Sequence, residues 1–270
     1  MNLSISTGTF YQVPFQKTLA LIRKAGFEYI ELLPCWKGSH WEMGQHLRDI
    51  SPAEALKMVE DSGLRISSLH DGGGLLEQGV SSIVSRSTYE YMACGGGGEI
   101  PCLVFHPPIK AADDLAWWEE YQAVVAQDLR QFKGSAMVCL ENVFPFEGES
   151  IPLLEPAHML EFVLEHDLYI TIDTTHCAQA GIDIVEAART FGSRVRTVHL
   201  SDYLQPKAHV FVGEGTLDLQ GFARALDHKK LHAITLECDV EYHKNDESRT
   251  VERLKQARDY LNNIAEESAG

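Results

Sequence analysis

Hydrophobic residues recur along the chain with two periods that alternate from one end to the other. Tyr169-Ile170-Thr171-Ile172-Asp173 shows the two-residue period: Ile170 and Ile172 fall on one face, Tyr169, Thr171 and Asp173 on the other. This is the pattern of a strand with one apolar and one polar side. Comparable runs at Leu3–Thr7, Tyr29–Leu33, Leu64–His70, Cys102–His106, Ala136–Glu141, Val195–Leu200 and Ala233–Glu237 bring the expected strands to eight. Helix signals separate them. Pro14 opens a helix that runs through Ala25 and stops at Gly26, and Ser51-Pro52-Ala53-Glu54 supplies an N-cap, a first-turn proline and an acid for a helix ending at Gly63. Further helices are expected from about Val80 to Cys94 and over Asp113–Phe132, Pro156–His166, Ile182–Phe191, Leu217–Leu226 and Glu247–Ile264. Strands and helices that alternate this way, with no compositional break, predict an α/β fold: one (β/α)8 TIM barrel over residues 1–270. A doubly wound open sheet would call for a glycine fingerprint after the first strand, and Gly8-Thr9-Phe10 is not one.

Composition narrows the setting. The net charge of −16 repels phosphate backbones, and no basic run offsets it, so nucleic acid is not an expected partner. The six cysteines, Cys35, Cys94, Cys102, Cys139, Cys177 and Cys238, are scattered without CxxC spacing, which points to free thiols in a reducing cytosol. Met1-Asn2-Leu3-Ser4-Ile5-Ser6 lacks the regions of a signal peptide, and no uninterrupted apolar stretch is long enough to span a bilayer. The expectation is a cytoplasmic protein with no membrane partner, with self-association as a homo-oligomer left open.

The candidate chemistry lies where the strands end. The third strand ends at His70, the fourth at His106, the fifth at Glu141, the sixth at Asp173, the seventh near His199 and the eighth at Glu237. Parity puts these groups on the face opposite the large apolar residues, so in a closed barrel they point inward and meet at the C-terminal end. Three carboxylates gathered there repel one another unless a cation compensates them. Glu141, Asp173, His199 and Glu237 form an oxygen-rich set that suits Mn²⁺, Mg²⁺ or Co²⁺ and can also hold Zn²⁺. His70 and His106 beside Glu141 could form a second metal position, with Glu141 bridging the two.

These pieces resemble the xylose isomerase-like barrel superfamily of sugar isomerases and epimerases, which also contains the abasic-site endonuclease IV group. The matching segments are Ser68-Leu69-His70, Val104-Phe105-His106-Pro107, Leu140-Glu141-Asn142, Ile172-Asp173-Thr174-Thr175-His176, Val198-His199-Leu200-Ser201-Asp202, His209 followed by Gly213-Glu214-Gly215, and Thr235-Leu236-Glu237. The resemblance implies that Glu141, Asp173, His199 and Glu237 bind one metal. It also implies that Glu141 and Glu237 are the catalytic pair, one removing a proton beside a carbonyl and the other returning it through an enediolate. The substrate would be a small sugar, keto-sugar or sugar phosphate. His176 either holds a substrate hydroxyl or orients Asp173. Lys207 is either solvated or pairs with a substrate phosphate or carboxylate. Trp36 lies in a loop whose aromatic residues either cover a sugar face or pack, Glu31 either contacts substrate or closes a polar network, and Asn142 either binds substrate or caps its loop.

In the endonuclease group several zinc ions are used, and His70, His106, His176 and His209 match its further ligand positions. That group carries an aspartate where this chain has Lys207, which opposes a third metal. A zinc-dependent phosphoesterase therefore stands as the alternative, and a dehydratase of a cyclic polyol ketone as a variant of the first reading. If the extra histidines are not ligands, His209 is a substrate contact.

Overall fold

The computed structural model describes residues 1–34, 45–71, 84–95, 100–107, 110–111, 115–145, 149–243 and 245–267. Its centre is a closed barrel of eight parallel strands: β1 (Asn2–Ser6), β2 (Tyr29–Leu32), β3 (Arg65–His70), β4 (Cys102–Phe105), β5 (Met137–Glu141), β6 (Tyr169–Asp173), β7 (Val195–Leu200) and β8 (Ala233–Leu236). Each strand bonds to the next, and β8 returns to β1 with Asn2 opposite Ala233 and Ile5 opposite Leu236. The expected (β/α)8 barrel is the fold. Around it lie α1 (Phe15–Lys24), α2 (Pro52–Asp61), α3 (Arg86–Cys94), α4 (Leu115–Arg130), α5 (Pro156–His166), α6 (Thr174–Gln179), α7 (Ile184–Phe191), α8 (Leu219–Ala225) and α9 (Glu247–Glu267).

Strand alternation divides the residues as the pattern requires. Leu103, Phe105, Val138, Leu140, Ile170, Ile172, Val198 and Leu200 are buried in the main apolar core, each contributing about 1.5–3 kcal/mol by leaving water. The opposite parity faces the barrel axis, where an eight-stranded ring has room only for side chains. Small polar groups fill it. Ser4 and Ser67 bond through their hydroxyls at 2.7 Å, Thr171 and Thr197 at 2.5 Å, and the sulfurs of Cys102 and Cys139 lie 3.4 Å apart. Cys94, Cys102, Cys139, Cys177 and Cys238 are free thiols; Cys35 lies outside the described residues.

Several boundaries move for local reasons. The helix expected from Val80 is described from Arg86, after Ser85 caps it by accepting the Thr88 amide, and residues 72–83 lie outside the description. The carboxylates of Asp183 and Asp218 cap α7 and α8, so these helices begin at Ile184 and Leu219. Among the described residues, several short elements lie below what a hydrophobic period can reveal, and two of them bear on the site. One is α6, which starts on the residue after β6; the other is an antiparallel ribbon of Asp202–Leu204 with Lys207–Val210, which carries Lys207 and His209. No described helix is long and apolar enough to cross a membrane.

Asp202 organises the loop that follows this ribbon. Its Oδ1 accepts the amides of Tyr203 (2.8 Å) and Leu217 (3.1 Å), and its Oδ2 that of Gly213 (3.2 Å). Gly215 packs directly on it, and a Cβ there would fall on Asp202 Oδ1 and the Tyr203 nitrogen. Gly215→Ala is therefore expected to lower stability by about 1–3 kcal/mol, read as a lower denaturation midpoint in urea; an unchanged midpoint would refute this account of the loop.

Candidate metal centre

Glu141 and Asp173 are the last residues of β5 and β6, His199 is the penultimate residue of β7, and Glu237 directly follows β8. The first three are fully buried and Glu237 is 6% exposed. Nitrogen and oxygen atoms from the four side chains all lie within 4.8 Å of one another. His199 Nδ1 is 2.8 Å from Glu237 Oε2 and 3.2 Å from Glu141 Oε2. Yet His199 Nδ1, Glu237 Oε2, both Glu141 oxygens and Asp173 Oδ2 are buried with no hydrogen-bond partner. Such close atoms, converging without hydrogen-bond alignment, have the spacing of ligands around an ion. Donors about 2.1 Å from a shared ion stand about 3.0 Å apart in an octahedron and about 3.4 Å apart in a tetrahedron. The set fits a divalent cation, and three carboxylates with one imidazole favour a hard or borderline one.

Glu141 is shared with a second group. His70 Nε2 lies 3.3 Å and His106 Nε2 3.4 Å from Glu141 Oε2, and the two nitrogens are 3.1 Å apart. Asp173, His176 and His209 form a third group of converging ligand atoms. In that group His176 Nδ1 is 3.0 Å from the Asn142 carbonyl and His209 Nδ1 is 3.1 Å from the Glu237 carbonyl. A carbonyl can only accept, so both Nδ1 atoms carry hydrogen, and Nε2 is the atom through which either ring would meet an ion or a substrate.

Burial raises the Glu141 carboxyl, but His199, His106 and His70 outweigh it and hold it well below the ordinary range. Glu237 is held down in the same way, against its own burial, by His199 and His70. The reverse acts on the imidazoles. Burial pushes His199 down, while Glu141, Glu31 and Glu237 carry it well above its usual value. His70 is raised by Glu141 and Glu31 against burial, and His176 is lifted to about 9 by Asp173, Glu141 and Glu237, again against burial.

The remaining expected site residues take distinct places. Asn142 is turned toward the backbone of β6: its Oδ1 accepts the Asp173 amide (2.8 Å), and its Nδ2 donates to the Asp173 carbonyl (3.1 Å) and to Cys177 Sγ (3.3 Å). Both its amide hydrogens are engaged by these two acceptors. Glu31 is fully buried, accepting from Ser68 Oγ (2.7 Å) and His199 Nε2 (2.9 Å) within a polar network. Lys207 is exposed on the ribbon, two residues from His209. Trp36 lies outside the described residues.

Sequence reasoning passed over the hydroxyls that brace the site. Thr174 Oγ1 donates to the Ser201 carbonyl (2.7 Å), Thr175 and Ser201 bond through their hydroxyls (2.7 Å), and Ser201 Oγ lies 3.2 Å from His209 Nδ1. The available signal was position: a Thr-Thr pair directly after Asp173 and a serine two residues after His199.

Known structures share this architecture. An L-ribulose 3-epimerase superposes with a TM-score of 0.73 at 18% identity, covering 99% of this chain and 95% of that one. A xylose isomerase domain protein from Alicyclobacillus acidocaldarius subsp. acidocaldarius gives 0.71 at 15% identity over 100% of both chains. A D-psicose 3-epimerase from Clostridium cellulolyticum H10, solved with D-tagatose, gives 0.71 at 16% identity, covering 98% of this chain and 99% of that one. At these identities the likeness speaks for the fold. No curated protein matched in sequence. The profile of one family matches residues 19–264, most of the chain and every barrel strand but the first. The chain thus belongs to the xylose isomerase-like TIM barrel family.

Proposed function

We propose that the chain is a divalent-metal-dependent isomerase or epimerase of a small sugar, keto-sugar or sugar phosphate, acting by proton transfer through an enediolate. The carrying observation is that Glu141 and Glu237 approach one nitrogen of His199 from β5 and β8, three strands apart around the ring. The 3-epimerases among the proteins of similar fold support the substrate class. Glu141, Asp173, His199 and Glu237 would hold the ion. When bound, it supplies Lewis-acid polarisation of a substrate oxygen.

Held below the ordinary range, Glu141 and Glu237 are both carboxylates at neutral pH, so either can accept a proton from carbon. Delivery from the opposite side gives an epimer, and delivery to the neighbouring carbon gives an isomer. The delivering glutamate must first collect its proton from solvent. His176, its Nδ1 engaged by the Asn142 carbonyl, holds a substrate hydroxyl through Nε2, and Lys207 meets an anionic group where the substrate carries one. The free thiols fit a cytoplasmic setting.

A zinc-dependent phosphoesterase of the endonuclease IV type is the second reading. The groups His70–His106–Glu141 and Asp173–His176–His209 favour it, because each gathers further nitrogen ligands beside the first set. A dehydratase of a cyclic polyol ketone shares the first proton transfer and then loses a β-hydroxyl.

Glu141→Gln and Glu237→Gln are each expected to lower turnover on a sugar panel by about 10²–10⁴-fold with an unchanged circular dichroism spectrum. Wild-type product formed in deuterated water is expected to carry deuterium at carbon. Full activity in either variant would remove the proton-transfer mechanism. Elemental analysis of protein purified without added metal or chelator separates the two main readings. About one manganese, cobalt or magnesium ion per chain supports the isomerase; two or three zinc ions per chain, on the order expected of a polynuclear site, move the function to phosphate esters.

The raised histidines set the pH behaviour of chelator-treated protein. Their folded pKa values lie above the ordinary 6.5, so the stability they contribute is complete below about pH 6.5 and is lost as pH rises through the folded values, through about 9 for His176. The melting temperature is expected to fall between pH 6.5 and 9, and a divalent cation should recover most at the alkaline end, where fewer protons compete with it. A flat profile without metal would contradict the assigned charge pairing.

A further inference from the structure

Beneath the candidate ligands lies a carboxylate that none of the proposed chemistry uses. Glu31 sits on β2, with Ile30 and Leu32 of opposite parity in the apolar core. It is fully buried beside the axis of the barrel. Its Oε2 accepts from Ser68 Oγ at 2.7 Å and from His199 Nε2 at 2.9 Å. Its Oε1 has no hydrogen-bond partner and stands 3.6 Å from His70 Nδ1, itself buried and without one. One side chain therefore addresses two imidazoles, from β7 and from β3, on the ring atoms that face away from Glu141. Their opposite atoms converge on Glu141 Oε2: His199 Nδ1 at 3.2 Å and His70 Nε2 at 3.3 Å.

We propose that Glu31 is a positioning residue that presets the tautomers of His199 and His70 together, so that each presents a bare nitrogen to the ion positions that meet at Glu141 Oε2. This rests on the metal reading of the site. A proton held on His199 Nε2 by Glu31 Oε2 leaves Nδ1 bare toward Glu141 and Glu237; a proton held on His70 Nδ1 toward Glu31 Oε1 leaves Nε2 bare toward Glu141 and His106. The task requires a carboxylate. Three donors, Ser68 Oγ, His199 Nε2 and His70 Nδ1, face its two oxygens, and an ionised carboxylate accepts on both. A glutamine accepts on one oxygen and turns N–H bonds toward another donor, so in either orientation it serves one imidazole and opposes the other. Glu31 thus links two ion positions that would otherwise share only Glu141.

The test compares full-length wild type with Glu31→Gln, with Zn²⁺ as the probe. Calorimetric titration reads affinity, and side-chain ¹⁵N spectra of histidine-labelled protein, metal-free and Zn²⁺-loaded, read which ring nitrogen carries hydrogen. The expected result is a loss of Zn²⁺ affinity of about 10–100-fold in Glu31→Gln, with His199 protonated on Nε2 and bare on Nδ1 in loaded wild type and one of the two imidazoles altered in the variant. Glu31→Asp, which keeps two acceptor oxygens one methylene further back, is expected to fall between them, and it takes over the comparison if Glu31→Gln does not fold. Unchanged affinity and spectra in the variant, or loaded wild-type His199 bare on Nε2, would overturn the proposal. Absence of Zn²⁺ uptake by wild type would defeat the metal reading alone. The metal-free spectra then decide for Glu31: a His199 Nε2 proton signal that moves in Glu31→Gln sustains its hold on the ring, and one that does not move refutes it.

Discussion

Charge held away from water governs the C-terminal end of this barrel. Glu31, Glu141, Asp173 and Glu237 are each less than a tenth exposed, and carboxylates so placed cannot all stay ionised unless something positive stands among them. His70, His176 and His199 answer that need with protons, since their affinity for hydrogen ions rises where the carboxylates crowd them. A divalent cation answers the same need with a smaller and stronger charge, displacing protons from the nitrogens it takes. The centre is therefore better described as a set of acceptors awaiting positive charge than as a collection of ion pairs.

Holding such a set together takes backbone bracing, and neighbouring strands provide it. Asn142, just past β5, bonds both the amide and the carbonyl of Asp173 at the end of β6. Asp173 in turn caps α6 through Oδ1, which accepts the His176 amide at 2.7 Å, leaving Oδ2 for the site. Thr174 and Thr175 carry the bracing from β6 to Ser201 beyond β7, and Ser201 reaches His209. The acid that is a candidate ligand also starts the helix that carries the next histidine, so moving one moves the other. Positional demands of this kind, within about half an ångström, are what catalytic geometry sets.

Much of this was legible in the chain because its physics is periodic. Alternation along five-residue runs such as Met137–Glu141 and Tyr169–Asp173 tells which side chains face the axis, and closure of the barrel then gathers the strand ends. The strands, their order and the polar ring followed from that. Bracing is aperiodic, and it escaped. Nothing in the local pattern tells that Asn142 spans to the Asp173 backbone, that Glu31 accepts from Ser68 and His199, or that Asp202 ties together Tyr203, Gly213 and Leu217. These bonds join residues whose distance in sequence has no fixed value. Elements of a few residues, α6 and the ribbon bearing Lys207 and His209, escaped for a related reason: they are shorter than the window over which a period can be recognised.

The pairing of β1 with β8 has a kinetic meaning. The ring closes only when residues 2–5 meet residues 233–236, the most distant contact in the sheet, and loop-closure entropy makes such contacts late and slow. Until then β8 is held only along its β7 edge, and no closed ring fixes the distance from Glu237 across to Glu141 on β5. An open sheet carries all four acceptors on adjacent strands but does not fix their convergence. An ion that requires that convergence would bind the closed ring more tightly than its precursors, so its binding energy would oppose reopening more than it would hasten closure. Metal supply would then govern how long a finished molecule survives in the cell, and hardly how quickly a new one forms.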